Sequence, residues 1–469
     1  MSWRAALRPR FVLVATLALV PTACTRCGAG GSEGDSTEPA SSSASTASSA
    51  LSASSASDSG SASALAPARC IAIGAPAPFG GGDGAGAGAG QEAIPFAAEI
   101  GGAASDERGF LVGVRASGLS GARTVLRIGL DGGAATALAS FAPVPGEARP
   151  PLIAARGGRI VVGALVLEGA TRTLHLFELP DAGAPVALTD LSQAIDESEA
   201  TSILVTKMGV SIAWDDADDA HERGRVRLIT LDRRASPAAT ASAGSVASSA
   251  KGTKLAPPLD VISPASSDAS WPLLVPNDDG SRAVLLWIAD RPEQVDAADA
   301  ASGEPSQLEA YHAIEATVID LATGHALAPT RALTSATGHV QTFAAEWTAS
   351  GLVIALRDDP RPTDGDGGAI LGVRASIGGD GVVGEPIVTP LADEDVAPGV
   401  PFVVTLGATT FASYLASDGR SHLVPVSGGA ASIEPALTGR RLVAARADRV
   451  LASRLLGAGL ELTVARCAP

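Results

Sequence analysis

From about residue 95 to the C-terminus, apolar positions fall in short runs of four to seven residues, split by Gly, Asp and Pro. Some runs alternate apolar and polar; others are continuously aliphatic. None sustains the i, i+3, i+4, i+7 spacing of an amphipathic helix, so the pattern predicts an all-β chain. One unit recurs, a glycine or tight turn followed by an aliphatic strand. It appears as "RGFLVGVRAS" at Gly109, "GGRIVVGALVL" at Gly158, "KMGVSIAWDD" at Gly209 and "DGSRAVLLWIAD" at Gly280. It returns as "ASGLVIALRDD" at Gly351, "LGATTFASYLAS" at Gly407 and "ADRVLASRLL" with Asp448 in the turn. The intervals are 49, 51, 71, 71, 56 and 41 residues. A hairpin follows most of these strands, as in "LRIGLDGGAATALA" (126–139), "LFELPDAGAPVALTD" (176–190) and "VPVSGGAASIEPALTG" (424–439). Gly and Asp suit such turns because they tolerate positive φ.

The two long intervals have visible causes. Residues 234–268 are a Ser/Ala-rich low-complexity stretch, and residues 291–308 are an acidic polar one. Both read as loops hung on a period near fifty. Seven such units resemble a β-propeller. "VIDLATGHAL" (318–327) in particular resembles the D-x-x-T-G hairpin of quinoprotein-like bacterial propellers. The resemblance implies seven four-stranded blades over residues 70–469, with six to eight the range the spacing admits. A pair of β-sandwiches or a β-helix is the rival architecture. Innermost strands would be "PLIAA", "SILVT", "PLLVP" and "PFVVTL", all mostly aliphatic. The seventh unit is short by a strand or two, while "CIAIGAPAPF" (70–79) and "AIPFAAEI" (93–100) are left over at the other end. In many propellers an N-terminal strand completes the last blade.

The N-terminus supplies an address. Arg4, Arg8 and Arg10 precede the apolar run "FVLVATLALV" (11–20), and Thr22 and Ala23 lead into Cys24. This order resembles a bacterial lipoprotein signal, which implies removal of residues 1–23 and lipidation, including palmitate, at Cys24. Pro21 stands where that family usually has an aliphatic residue, so cleavage after Ala23 by the ordinary secretory peptidase, giving a secreted or periplasmic protein, is the alternative. Arg26 rules out Cys27 as the lipid site on this pattern. A redox or metal role for the Cys24–Cys27 pair would need folded flanks, and here they are a signal and a low-complexity tract. Residues 24–69 read as a disordered stalk that cannot bury enough surface to offset its chain entropy. In an exported chain the remaining cysteines, Cys70 and Cys467, suggest one disulfide. They can bond only if the fold brings its ends together, as a propeller closed by its first strand would.

Composition narrows the chemistry. A formal charge of -16 argues against a nucleic-acid partner, and 3% aromatics argue against a stacking platform. "WDDADDAHERGR" (214–225) gathers Asp215, Asp216, Asp218 and Asp219 with His221 and Glu222. These are weak metal candidates, because the alternation of an EF-type loop is missing. Asp364 and Asp366 in "TDGDGG" lack a closing ligand, and "GGGDGAGAGAG" (80–90) lacks the lysine of a phosphate loop. The six histidines are scattered; His175 and His422 lie in strand patterns. Arg156, Lys207 and Glu346 are the polar residues within reach of a channel mouth. No cofactor is implied.

The sequence therefore points to a monomeric binding or scaffold protein of the cell envelope, lipid-anchored at the outer membrane or cell surface, with an envelope protein as its partner. A propeller hydrolase or lyase with its site in the central channel is one alternative. A purely structural envelope lipoprotein is another.

Overall fold

The computed structural model describes residues 69–79, 98–116, 122–141, 149–168, 171–181, 183–194, 200–207, 209–218, 223–232, 260–264, 268–291, 311–359, 368–392, 396–457 and 459–468. Residues 1–68, on which the expected signal, lipid site Cys24 and stalk fall, lie outside these residues. So do residues 80–97, most of 234–268, and 292–310.

The described strands form a seven-bladed β-propeller of four-stranded antiparallel sheets. The first strand in the chain, β1 (Arg69–Phe79), is set aside for the last blade. Blade 1 is β2 (Glu99–Asp106), β3 (Gly109–Arg115), β4 (Arg123–Ile128) and β5 (Thr136–Phe141). Blade 2 is β6 (Leu152–Arg156), β7 (Arg159–Glu168), β8 (Thr171–Leu179) and β9 (Val186–Ala194). Blade 3 is β10 (Thr201–Val205), β11 (Gly209–Asp218), β12 (Arg223–Asp232) and β13 (Asp260–Val261). Blade 4 is β14 (Asp268–Pro276), β15 (Arg282–Arg291), β16 (Tyr311–Asp320) and β17 (Arg331–Ala332). Blade 5 is β18 (Val340–Thr348), β19 (Gly351–Asp358), β20 (Ala369–Ala375) and β21 (Ile387–Ala392). Blade 6 is β22 (Phe402–Leu406), β23 (Thr409–Leu415), β24 (Ser421–Pro425) and β25 (Ser432–Ile433). Blade 7 is β26 (Arg441–Arg446), β27 (Arg449–Leu456), β28 (Gly459–Ala468) and, on its outer edge, β1.

The first strand of each blade touches the first strand of the next, and β26 touches β2, so these strands line the axis of a closed ring. Each junction between blades is filled by its own apolar cluster. Between blades 4 and 5, for example, Leu286, Ile314 and Val318 pack on Phe343, Ile354 and Val373. The junction of blade 7 with blade 1 is built the same way, from Leu451, Leu462 and Val464 against Phe110, Val112 and Ile128. Second strands are sandwiched on both faces, which is why "FLVGV" and "VLLWIA" read as unbroken aliphatic runs rather than alternating ones.

The recurring glycine has a steric cause. Gly109 and Gly351 open second strands at φ +155° and +122°, and a Cβ there would lie 2.2 Å from the Ile128 carbonyl oxygen and 2.3 Å from that of Ala375. The third strand passes too close to admit any side chain.

Arg69–Phe79 supplies the one strand that blade 7 lacks, as the sequence reading expects. Three boundaries differ from that reading. Glu99–Asp106, left over there, opens blade 1 as its innermost strand. The stretch 234–268 is not all loop: Asp260 and Val261 pair with Leu228 and Arg227 as the outer strand of blade 3. Asp268 already belongs to β14. The apolar residues of "LDVIS" interrupt the Ser/Ala composition there. Among the described residues, no helix is long and apolar enough to cross a membrane.

The seam is covalent. Cys70 and Cys467 are disulfide-bonded across a sequence separation of 397 and are partners in the β1–β28 ladder. By loop entropy a crosslink of this span stabilises by at most about 6 kcal/mol, less whatever native-state strain it carries.

Candidate functional site

First strands all run toward one face of the ring, where each turns tightly into its second strand. The three sequence-predicted polar residues gather at this face. Arg156 ends β6, and its guanidinium crosses past blade 3 to blade 4. There it donates to the Asn277 carbonyl at 3.2 Å and to that of Asp278. It lies over Gly280, the glycine of the blade 4 turn. Lys207, exposed in the turn between β10 and β11, lies near Asp279, whose carboxyl is held below its usual range mainly by hydrogen bonds from Ser281 and only slightly by the Lys207 charge. Glu346 is further in, on β18.

Beside Glu346 a cavity of about 210 Å³ opens among the inner strands of blades 5, 6 and 7. Glu346, Thr405 and Arg446 provide its polar lining, and Phe402, Val404 and Ala447 are among its apolar walls. Thr405 positions the acid: its hydroxyl donates to Glu346 Oε2 at 2.9 Å and shares a 3.0 Å hydrogen bond with Thr410 Oγ1. Burial pushes the Glu346 carboxyl above the usual carboxylate range. The Thr405 hydrogen bond pulls part of the way back, and the neighbouring Asp278 carboxylate adds to the rise. Ala447, with φ +50°, turns the chain sharply at the rim. A buried carboxyl, a hydroxyl and a guanidinium on one wall can orient a small polar group by hydrogen bonds and charge. Thr405 and Arg446 escaped the sequence reading. The strand of Thr405 is legible as "PFVVTL", that of Arg446 is not, neither "VVTL" nor "VAAR" carries a motif, and the cavity exists only where three blades meet.

Other candidates resolve differently. Asp215 is buried in β11, where its Oδ2 accepts the Trp271 backbone N–H of blade 4 at 3.1 Å. Trp271 has φ +56° at a bulge in β14, so Asp215 supports an irregular strand. The side chains of Asp216 and Asp218, and Asp219, His221, Glu222, Asp364 and Asp366 altogether, lie outside the described residues. Among the described residues no group of three or more His, Cys, Asp or Glu is arranged to hold a metal. His175 makes a half-exposed 2.8 Å contact with Asp190, and His422 stacks on Tyr414 with ring centroids 5.0 Å apart. His312 and His339, 27 positions apart in sequence, meet in a parallel bridge at the opposite face between blades 4 and 5. Burial and the nearby His339 hold the His312 imidazole below its usual pKa.

No family model matches the chain, and no curated protein matches it. Among solved structures it is similar to the β-propeller domain of the Trilobed protease from Pyrococcus furiosus, at 11% identity, with 78% of this chain and 95% of that one covered and a TM-score of 0.44. A second is a catalytically inactive variant of virginiamycin B lyase from Staphylococcus aureus with quinupristin, at 10% identity, 85% and 99% coverage and a TM-score of 0.42. A third is Sqt1 of Saccharomyces cerevisiae, at 9% identity, 84% and 99% coverage and a TM-score of 0.39. Similarity at these levels transfers no activity to this chain.

Proposed function

We propose that this chain is an exported, lipid-anchored β-propeller that works as a binding or scaffold protein of the cell envelope. The observation that carries the binding role is the cavity at the channel mouth. Its Glu346, Thr405 and Arg446 come from three different blades and converge on a space sized for a small polar group. Two features support the envelope location. The Cys70–Cys467 disulfide suits an oxidising compartment, and the N-terminal pattern ends at Cys24. The test is a paired one in cells. Cys24→Ala should abolish palmitate labelling and release the protein from membranes; unchanged membrane association contradicts the anchor. A photocrosslinker at Ala447 should give discrete envelope adducts that Arg446→Glu removes. Adducts unaffected by that change contradict the site.

A second reading rests on the place of Glu346 in the cavity wall, hydrogen-bonded to Thr405 and with its pKa raised by burial, which suits general-acid work in a hydrolase or lyase. Under that reading Glu346→Gln would abolish turnover of a bound substrate while sparing its binding.

A further inference from the structure

We propose that the Cys70–Cys467 disulfide is a mechanical junction: it passes tension arriving along residues 24–69 straight into the centre of blade 7 and prevents β1 from being peeled off. The source of that tension rests on the anchoring reading above. The geometry does not.

β1 is the outermost strand of its blade, paired on one side only. Its ladder with β28 begins at Arg69↔Ala468, and the next pair is Cys70↔Cys467. The segment preceding Arg69 therefore leaves from the very end of the ladder that the disulfide closes. A pull from there would open an unbonded ladder one pair at a time, and each step would break only hydrogen bonds of modest net strength. The burial of β1 offers little further resistance, because among its side chains only Cys70 and Ala77 are buried.

Loop entropy alone does not explain the position of the crosslink. A disulfide at the far end, where Pro78 faces Glu461, would close a loop almost as long and restrict the unfolded chain almost as much. It would leave most of β1 free to unzip under load. Only a crosslink at the first pairs protects the whole strand.

The receiving end is built to spread force. Cys467 is fully buried on β28, which is paired on both sides, by β1 and β27. Its N–H donates to the Asp448 carbonyl at 2.7 Å. The Cys70 N–H donates to Glu434 Oε2 of blade 6, also at 2.7 Å, so the junction is tied to the neighbouring blade as well.

The test is single-molecule extension of the mature chain in an optical trap. One handle is attached at the N-terminus, and the other to a peptide tag inserted between Ser245 and Val246. Oxidised molecules should show no extension before whole blades unfold. Dithiothreitol, which reduces the bond to two thiols and itself closes to a cyclic disulfide, should add an early low-force step in the same folded molecules. That step should be the contour of residues 70–97, about 90–100 Å at roughly 3.3–3.6 Å each, less the distance already spanned between residues 70 and 98 in the folded ring. The same early step in oxidised molecules would overturn the proposal. So would its absence after reduction, with both thiols verified by maleimide labelling, or loss of the whole ring in one event. Cys70→Ser/Cys467→Ser should behave as the reduced protein; should it fail to fold, the reduced wild type decides. Palmitate labelling of Cys24→Ala is independent, so failure of the anchor removes the source of tension and leaves the trap result standing.

Discussion

Blades 4 and 7 reach the same four-stranded form by different routes. Blade 4 is built from one continuous stretch, Asp268–Ala332, and its second strand is buried almost completely from Ala283 to Ala289. Its first hairpin is closed locally: the Asn277 N–H donates to the Arg282 carbonyl, and the Asn277 side chain accepts the Arg282 N–H. Blade 7 takes three strands from the C-terminus and its outer strand from the other end of the chain. That strand buries only Cys70 and Ala77. Apolar packing therefore holds blade 4, whereas the outer strand of blade 7 depends on its ladder and one covalent bond. An edge strand that buries so little gains little from apolar packing, so its attachment rests on those two.

The largest effect that separates the two blades should come from the disulfide. Cys70→Ala/Cys467→Ala is expected to lower unfolding free energy by up to about 6 kcal/mol in urea titrations. Hydrogen exchange should quicken along β1 first and leave blade 4 protected. A loss below about 1 kcal/mol would place the strength of the seam elsewhere. Leu286→Ala, in the junction of blades 4 and 5, should cost about 3 kcal/mol through lost burial and an unfilled cavity. Exchange in β1 should not change locally; if it quickens as much as in blade 4, the ring behaves as one unit and the contrast fails.

A smaller effect sits in blade 7 alone. Glu461 on β28 accepts from Arg440 at 2.6 Å and from Arg454 at 3.2 Å. Burial raises its pKa, but the two arginines outweigh that and hold it below the usual carboxylate range. Its contribution is present above the ordinary carboxylate pKa and is lost as pH falls through the depressed value. Glu461→Gln should therefore cost about 1 kcal/mol at neutral pH and flatten acid unfolding, while an unchanged acid profile would refute the pairing. The smallest effect is expected on blade 2, where His175→Ala should shift stability by no more than a few tenths of a kcal/mol, since its contact with Asp190 is solvated.

Much of the ring could be read before its structure, because its regularities are local. The Gly109 and Gly351 turns, the aliphatic second strands and the Gly/Asp hairpins each lie within about twenty consecutive residues, and their recurrence sets the blade number. Cysteines near both ends of the repeat marked the seam. What escaped reading lies between blades. The reach of Arg156 to Asn277, the hydrogen bond of Thr405 to Glu346 and the meeting of His312 with His339 join segments whose spacing depends on blade rotation and loop length. None of the three leaves a periodic trace. Asp215 shows the converse: a residue conspicuous among neighbouring acids serves the backbone of an adjacent strand.

The seam is tested most directly by non-reducing tryptic mapping of the protein isolated from its native compartment. Cleavage after Arg69, Arg108 and Arg466 should release the peptide Cys70–Arg108 joined to the peptide that begins at Cys467, and reduction should separate the two. Free thiols at Cys70 and Cys467, or either one bonded to Cys24 or Cys27, would contradict the covalently closed ring.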